Sequence, residues 1–153
     1  MTKRLIPKIH FIPYRPSFKK RLLDIWERSV RATHDFLLSE DIDFFKTIVE
    51  GIDFHSFPVF VAFTEEDRMV GFWGVNGRQL EMLFIDPDFI GIGIGSFIMD
   101  YAIREQGVKE VEVNESNTRA LEFYKKFGFK ILARKPLDNS GRPYPILRLG
   151  LSG

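Results

Sequence analysis

Three glycines, at positions 91, 93 and 95, are the residues of this sequence whose type and spacing best suit chemistry. They stand in the segment DPDFIGIGIGS, which follows a predicted strand and precedes a predicted helix. Glycine has no Cβ atom, so the backbone N–H groups of such a loop can approach a ligand closely. The start of a helix adds unpaired N–H groups and a dipole equivalent to about half a positive charge. The segment therefore predicts a phosphate or pyrophosphate site, and a turn that merely joins strand to helix is the alternative.

The surroundings of the glycines exclude two common nucleotide sites. No Lys-Ser or Lys-Thr pair follows them, so the loop is not a P-loop that would position Mg²⁺. A dinucleotide fingerprint lies in the first βαβ unit and needs an acidic residue at the end of the next strand. Here the loop follows several predicted strands, and the next strand ends at Asn114. A pyrophosphate from a ligand other than a nicotinamide or flavin cofactor fits better.

Hydrophobic periodicity and turn residues predict the elements that must position this loop. Alternating or continuous apolar runs predict strands in KIHFIPY, PVFVAFT, MVGFWGVN, QLEMLFID, VKEVEVN, FGFKILARKP and PYPILRLGL. Helical spacing predicts helices in PSFKKRLLDIWERSVRATHDF, EDIDFFKTIVE, IGSFIMDYAIREQ and NTRALEFYKKF. Ser39 is the predicted N-cap of the second helix, and Gly51 and Gly107 are predicted to end the second and third. The pattern predicts a mixed α/β, α+β-like fold, with a mostly antiparallel sheet of about seven strands flanked by about four helices.

Composition sets the class of protein. The 153 residues predict one domain, 1–153, and 44% hydrophobic residues are enough for one core. A formal net charge of +1 argues against nucleic acid or a membrane surface as a partner. The absence of cysteine excludes disulfides and a cysteinyl acyl intermediate. The basic N-terminus has no apolar run of signal-peptide length, so we expect a cytoplasmic protein, either monomer or homodimer.

Two blocks of the sequence resemble the GNAT family of N-acetyltransferases. The strand LEMLFIDPD and the loop IGIGIG resemble the family's coenzyme signature Q/R-x-x-G-x-G/A, and NESNTRALEFYKKFGF resembles its N-x-x-A-x-x-F-Y-x-K-x-G-F motif. The blocks occur in the family's order and spacing and cover about a third of the chain. One departure is Ile90, which stands where the signature has Arg or Gln. It predicts weaker or differently shaped coenzyme binding.

The resemblance implies a GNAT-type fold and direct transfer of an acetyl group from acetyl-CoA to an amine, without a metal. It implies that the backbone of the strand end pairs with the pantetheine arm, that the loop amides hold the pyrophosphate, that Asn117 hydrogen-bonds the arm and that Tyr124 faces the sulfur. The coenzyme-binding residues expected on this basis are Leu83, Phe84, Ile85, Ile90, Gly91, Ile92, Gly93, Ile94, Gly95, Ser96, Asn117, Tyr124 and Lys126.

Acetyl transfer needs a neutral amine and help for the departing thiolate, and three residues are candidates for these roles. Tyr124 is the expected hydrogen-bond donor to the sulfur, with a packing role as the alternative. Glu81 is one candidate base, because a carboxylate in the apolar strand LEMLFI is expensive to bury without a purpose; a solvent-facing position is its alternative. His34 is the other, because imidazole titrates near pH 6.5, and a structural hydrogen bond is its alternative.

Two other functions remain open from the sequence. The chain could be a coenzyme A binding module with little or no turnover, which Ile90 favours, or a nucleotide-binding fold unrelated to coenzyme A. The acceptor, a small-molecule or peptide amine, is not specified by any motif. His10 and His55 have no companions at metal-ligand spacing, so no metal is expected.

Overall fold

The computed structural model describes residues 8–152. Residues 1–7 and 153 of the predicted domain lie outside the described residues. The prediction that the N-terminus is not a signal peptide falls in part on residues 1–7. The described chain forms seven strands and four α-helices. In chain order they are β1 (Ile9–Pro13), α1 (Lys19–Thr33), α2 (Ser39–Glu50), β2 (Val59–Thr64), β3 (Met69–Asn76), β4 (Gln79–Ile85), α3 (Ile94–Gln106), β5 (Glu110–Asn114), α4 (Thr118–Lys126), β6 (Lys130–Lys135) and β7 (Ile146–Gly150).

All seven strands join one sheet in the order β1-β2-β3-β4-β5-β7-β6. β2, β3 and β4 form an antiparallel meander joined by short turns, and β1, which α1 and α2 separate from β2 along the chain, pairs antiparallel with β2. β4 and β5 run parallel, since α3 crosses over between them, and β5, β7 and β6 are again antiparallel. The predicted mixed fold with a mostly antiparallel sheet is therefore confirmed.

The two halves of the sheet touch only at one end of β4. The parallel pairing consists of Gln79 with Glu110 and Leu80 with Val111, and beyond these positions the two strands make no further ladder pairs. A bulge in β4 lies at this point: Val75 pairs with Leu80 and Gly74 pairs with Met82, which leaves Glu81 as the extra residue. A bulge bends its strand and increases the local twist. The remainder of β4 therefore separates from β5 and leaves an opening between them.

Each face of the sheet is covered by a separate apolar core. One core includes α3 and α4 residues such as Ile98, Met99 and Tyr124, packed against the side chains of Trp73 and Val111. The other core brings α1 and α2 against the opposite face of the sheet. Because β3 lies between both cores, all of its residues except the last are buried, which explains its nearly continuous apolar sequence.

The helix ends agree with the sequence except at one position. Gly51 and Gly107 end α2 and α3 as predicted, and Gly107 has the positive φ, 72°, that favours glycine. The predicted N-cap at Ser39 is wrong, because Leu38 has the extended backbone of the cap and Ser39 is the first helical residue. The Ser39 hydroxyl instead lies 3.4 Å from a guanidinium nitrogen of Arg31. No helix within residues 8–152 is long and apolar enough to cross a membrane.

Candidate active site

The opening between β4 and β5 is a cleft of about 910 Å³. Its walls come from β4 and the glycine loop on one side and from β5 and α4 on the other, and the C-terminal turn of α1 closes part of it. Most of the predicted site residues line this cleft, although they come from parts of the chain that are far apart. They are His34, Glu81, Leu83, Phe84, Ile85, Ile90, Gly91, Gly93, Gly95, Ser96, Asn117, Tyr124 and Lys126.

The glycine loop has the backbone geometry that its sequence predicts. Gly91 and Gly93 have φ angles of 86° and 98°, which side chains other than glycine rarely adopt. Gly93 is the N-cap of α3 and offers no side chain, so the first amides of that helix, from Ile94 to Ser96, have no intrahelical acceptor. These amides begin at the cleft, because Gly93, Gly95 and Ser96 line it.

Two predicted coenzyme residues do not present side chains to the cleft. Ile94 is 1% exposed in the core, and Ile92 packs against the same core. Both alternate with the glycines, so their side chains anchor the loop while the backbone stays accessible. Any contact that Ile92 or Ile94 makes with a ligand is therefore limited to main-chain atoms.

His34 lies at the end of α1 and reaches the cleft beside the start of α4. Its Nδ1 is 2.8 Å from the Thr33 hydroxyl, and its Nε2 is 3.4 Å from the side-chain nitrogen of Asn117. The Thr33 hydroxyl donates its proton to the Ser29 carbonyl at 2.7 Å. It must therefore accept from His34, which places the ring proton on Nδ1.

The other ring nitrogen is then a lone-pair acceptor. The Asn117 side-chain oxygen accepts from the Ala120 amide at 3.2 Å, so its NH₂ group is the end that faces His34. Burial lowers the pKa of His34, and nearby Asp35 only partly offsets this. The imidazole is consequently neutral near pH 7, with its basic Nε2 directed toward Asn117 at the cleft.

Tyr124 lies on α4 with its ring packed between two phenylalanines. The ring centres of Phe123 and Phe129 are 5.4 and 5.8 Å from it, and Tyr124 as a whole is 8% exposed. Burial raises the pKa of its phenol well above the usual range. The hydroxyl makes no hydrogen bond to another described residue, yet it is not sealed from solvent. It therefore remains a protonated donor at the cleft.

Glu81 differs from its prediction in one respect. The expectation of an expensively buried carboxylate is wrong, because the bulge exposes Glu81 to solvent on the cleft wall. No cation among residues 8–152 lies within 4.0 Å of its carboxylate. Glu81 can still accept a proton or attract a positively charged ligand.

Three charged residues that line the cleft were not predicted: Glu112 on β5, and Arg119 and Glu122 on α4. Glu112 lies 3.7 Å from Lys135. The alternating sequence EVEVN could have predicted the position of Glu112, because Val111 and Val113 face the core and Glu112, between them, must face the other way. Arg119 on α4 lines the cleft as well, and only the fold shows which way α4 faces.

Arg119 and Lys126 are the two cationic residues of α4 that line the cleft. Arg119 is four residues before Phe123 and Lys126 is three residues after it, so all three side chains lie on one face of α4. The Phe123 ring lies 3.7 Å from where a Cβ of Gly95 would be. Two cationic side chains therefore lie on the helix face that contacts the proposed phosphate loop.

Known proteins share this architecture. The chain matches the family described as Acetyltransferase (GNAT) domain over residues 55–131. It is 43% identical over 131 residues to the peptidyl-lysine N-acetyltransferase YjaB of Salmonella typhimurium, a match that covers 85% of this chain and 89% of that protein. The solution structure of apo-form YjaB from Escherichia coli has a TM-score of 0.85 and 38% sequence identity, covering 95% of this chain and 99% of that chain.

A more distant structure shares the fold alone. The PaiA N-acetyltransferase of Thermoplasma acidophilum, crystallised in complex with coenzyme A, has a TM-score of 0.69 at 17% identity and covers 92% of this chain and 98% of that chain. The family match and the similarity to YjaB extend over both motifs and the cleft between β4 and β5. The chain therefore belongs to the GNAT family of N-acetyltransferases and is an enzyme that transfers an acetyl group to an amine.

Proposed function

We propose that the enzyme takes its acetyl group from acetyl-CoA, bound in the cleft between β4 and β5. The separation of the two strands carries this proposal, because Leu83, Phe84 and Ile85 pair with β3 on one side and with no strand on the other. Their open side can hydrogen-bond an amide-containing chain in the way that an added strand would. The two amide groups of pantetheine suit such an edge.

The coenzyme's phosphates are assigned to the start of α3. The amides of Ile94, Gly95 and Ser96 lack helical partners, and the helix dipole favours an anion there. Arg119 and Lys126 supply positive charge on the neighbouring face of α4. These two side chains offset the missing cation at Ile90, so the departure from the signature does not remove the phosphate site.

The proposed acceptor is the side-chain amine of a lysine in a protein or peptide. The YjaB relative is named a peptidyl-lysine N-acetyltransferase, and it matches most of this chain. The cleft also suits a cation, because Glu81 on β4 and Glu112 on β5 line it from opposite walls. A small-molecule amine is the alternative acceptor.

The proposed chemistry uses His34 as base and Tyr124 as the hydrogen-bond donor to the leaving thiolate. The amine nitrogen attacks the thioester carbonyl and becomes acidic as the C–N bond forms. Its proton passes to the neutral His34 Nε2, whose 3.4 Å contact with the Asn117 NH₂ group opens to admit it. The C–S bond then breaks while the Tyr124 hydroxyl hydrogen-bonds the departing thiolate, which takes up a proton from solvent as His34 releases its proton to solvent. The products are the acetylated amine and the coenzyme thiol. Glu81 is the alternative base.

Release of thiol from acetyl-CoA tests this function. We expect release that depends on a lysine-containing peptide and stops when the lysine is replaced by norleucine, while the peptide's N-terminus is blocked throughout. Coenzyme binding without thiol release for any peptide or small amine would favour a binding module with no turnover. Thermal stabilisation by ATP or NAD rather than by coenzyme A would overturn the donor assignment.

A further inference from the structure

Asp86 is a buried carboxylate at the junction of β4 and the glycine loop. Its side chain is 2% exposed and receives a bidentate contact from Arg28 of α1, with Nη1 donating to Oδ1 at 3.0 Å and Nη2 donating to Oδ2 at 2.9 Å. The Asp88 amide donates to the same carboxylate at 2.9 Å. The Asp86 amide donates to the Val70 carbonyl at 2.8 Å. Asp86 therefore joins α1, β3 and the loop.

A second cation holds the same segment. Arg68, in the turn between β2 and β3, lies 2.9 Å from the Asp88 carboxylate and 3.6 Å from that of Asp86. Its guanidinium carbon is 4.7 Å from the centre of the Phe89 ring. The short helical turn Pro87–Phe89, which Asp86 caps, is thus fixed from two sides just before the glycines begin.

Both members of the central pair stay charged near neutral pH. Burial acts to raise the pKa of Asp86, but the hydrogen bonds from Arg28 and the Asp88 amide outweigh it and keep the pKa below its usual value. The hydrogen bonds to Asp86, and then to Asp24, raise the pKa of Arg28. A carboxylate this buried is stable only while its cationic partner is present.

We infer that Arg28 and Asp86 are positioning residues for coenzyme binding, because they hold the glycine loop against the helix that carries His34. The inference rests on the proposed coenzyme site. The loop's glycines impose little backbone order of their own, so its amides can present a fixed anion site only if an anchor restrains the loop. Without the Arg28 guanidinium, the Asp86 carboxylate keeps only the Asp88 amide and the more distant Arg68, so it shifts toward Arg68 or water, and the loop shifts with it.

Replacing Arg28 tests the pair. We expect Arg28→Met to raise the dissociation constant for coenzyme A by at least about tenfold in calorimetry, with the KM for acetyl-CoA rising by more than kcat falls. Arg28→Lys keeps the charge but loses the bidentate geometry, so it should give an intermediate affinity. Arg31→Met is the matched control, since Arg31 lies on the same helix and pairs with Glu27 and Asp43 away from the loop. Its coenzyme affinity should equal that of the native protein.

Amide hydrogen exchange over residues 87–96 provides a readout that does not need the coenzyme. Arg28→Met and Arg28→Lys should exchange faster there than the native protein, whereas Arg31→Met should not. A lower melting temperature with unchanged loop exchange and unchanged affinity would show that the pair only stabilises the fold, and would overturn the inference. If the native protein binds no coenzyme A, the proposed function fails. In that case hydrogen exchange still tests the ion pair: unchanged loop exchange in Arg28→Lys would overturn the inference that Arg28 and Asp86 restrain the loop.

Discussion

The side-chain nitrogen of Asn117 lies 3.4 Å from Nε2 of His34, although the two residues are 83 positions apart in the chain. His34 ends α1 and Asn117 caps α4, so this contact joins the two helices at the cleft. The Asn117 side-chain oxygen accepts a hydrogen bond from the Ala120 amide, so the Asn117 NH₂ group faces His34. One N–H of that group donates to the histidine, and the other is available to a ligand. The contact places the proposed base beside the residue expected to bind the pantetheine arm.

His34→Gln should remove an acidic limb from the pH profile. Burial holds the pKa of His34 below its usual 6.5, so native kcat/KM should decline as protonation of Nε2 sets in below that value. His34→Gln should lower kcat/KM at pH 7 by at least about tenfold and lack this decline. The native enzyme and the His34→Gln variant are compared with the same lysine peptide, so that ionisation of the acceptor amine affects both pH profiles equally. If Glu81→Gln removes the limb and His34→Gln does not, Glu81 is the base.

Thr33→Val should reduce kcat, because it removes the hydroxyl that accepts the Nδ1 proton of His34. A hydrogen bond of this kind contributes about 0.5–1.5 kcal/mol, so we expect a fall of roughly two- to twelvefold. Thr33→Ser keeps the hydroxyl and should retain nearly native kcat. Nitrogen NMR of the His34 ring reports the tautomer, and a Thr33→Val ring that still carries its proton only on Nδ1 would contradict the positioning role.

Tyr124→Phe should lower kcat by at least about tenfold with a smaller change in the KM for acetyl-CoA. The ring contacts with Phe123 and Phe129 survive this change, so the fold should be retained. The native enzyme should show no loss of activity from Tyr124 ionisation below pH 10, since burial raises its pKa. A kcat within twofold of native, with chemistry shown to limit the rate, would leave Tyr124 as a packing residue.

Gly93→Ala should weaken coenzyme A binding, and Gly107→Ala should not. Both glycines have positive φ, 98° and 72°, at opposite ends of α3, so an added Cβ strains each by roughly 1–2 kcal/mol. Similar losses of melting temperature are therefore expected. Only Gly93 belongs to the cleft, where relief of the strain displaces the amides. If calorimetry gives the two variants equal affinities for coenzyme A, the assignment of the glycine loop to the phosphate site is wrong.

Ile90→Arg should tighten coenzyme A binding by a modest factor, because one charge-assisted contact contributes about 1.5–3 kcal/mol at most and solvent reduces it. Arg119→Met should weaken binding, with a shallower dependence on salt concentration. If Arg119 offsets the missing cation, Ile90→Arg should gain more in the Arg119→Met background than in the native one. Equal gains in both backgrounds would show that the two positions act independently, and Ile90→Met controls for side-chain size.

The sequence alone determined the kinds of element and the backbone geometry of the glycine loop. Gly91, Gly93 and Gly107 could be interpreted without a fold, because a positive φ is a local property of the backbone. The alternation of β5 and the helical spacing of α3 and α4 are likewise local patterns. Asn117 and Tyr124 belong to one contiguous motif, so the order of residues along the chain was enough to identify them as candidate site residues.

Only the tertiary structure decided how distant residues meet. The bulge that exposes Glu81 depends on the register between β3 and β4, and register is a property of two strands together. The tautomer of His34 depends on Thr33, Ser29 and Asn117 at once. The ion pair of Arg28 with Asp86 spans 58 positions. No local pattern encodes such contacts, because they follow from how the helices pack on the completed sheet.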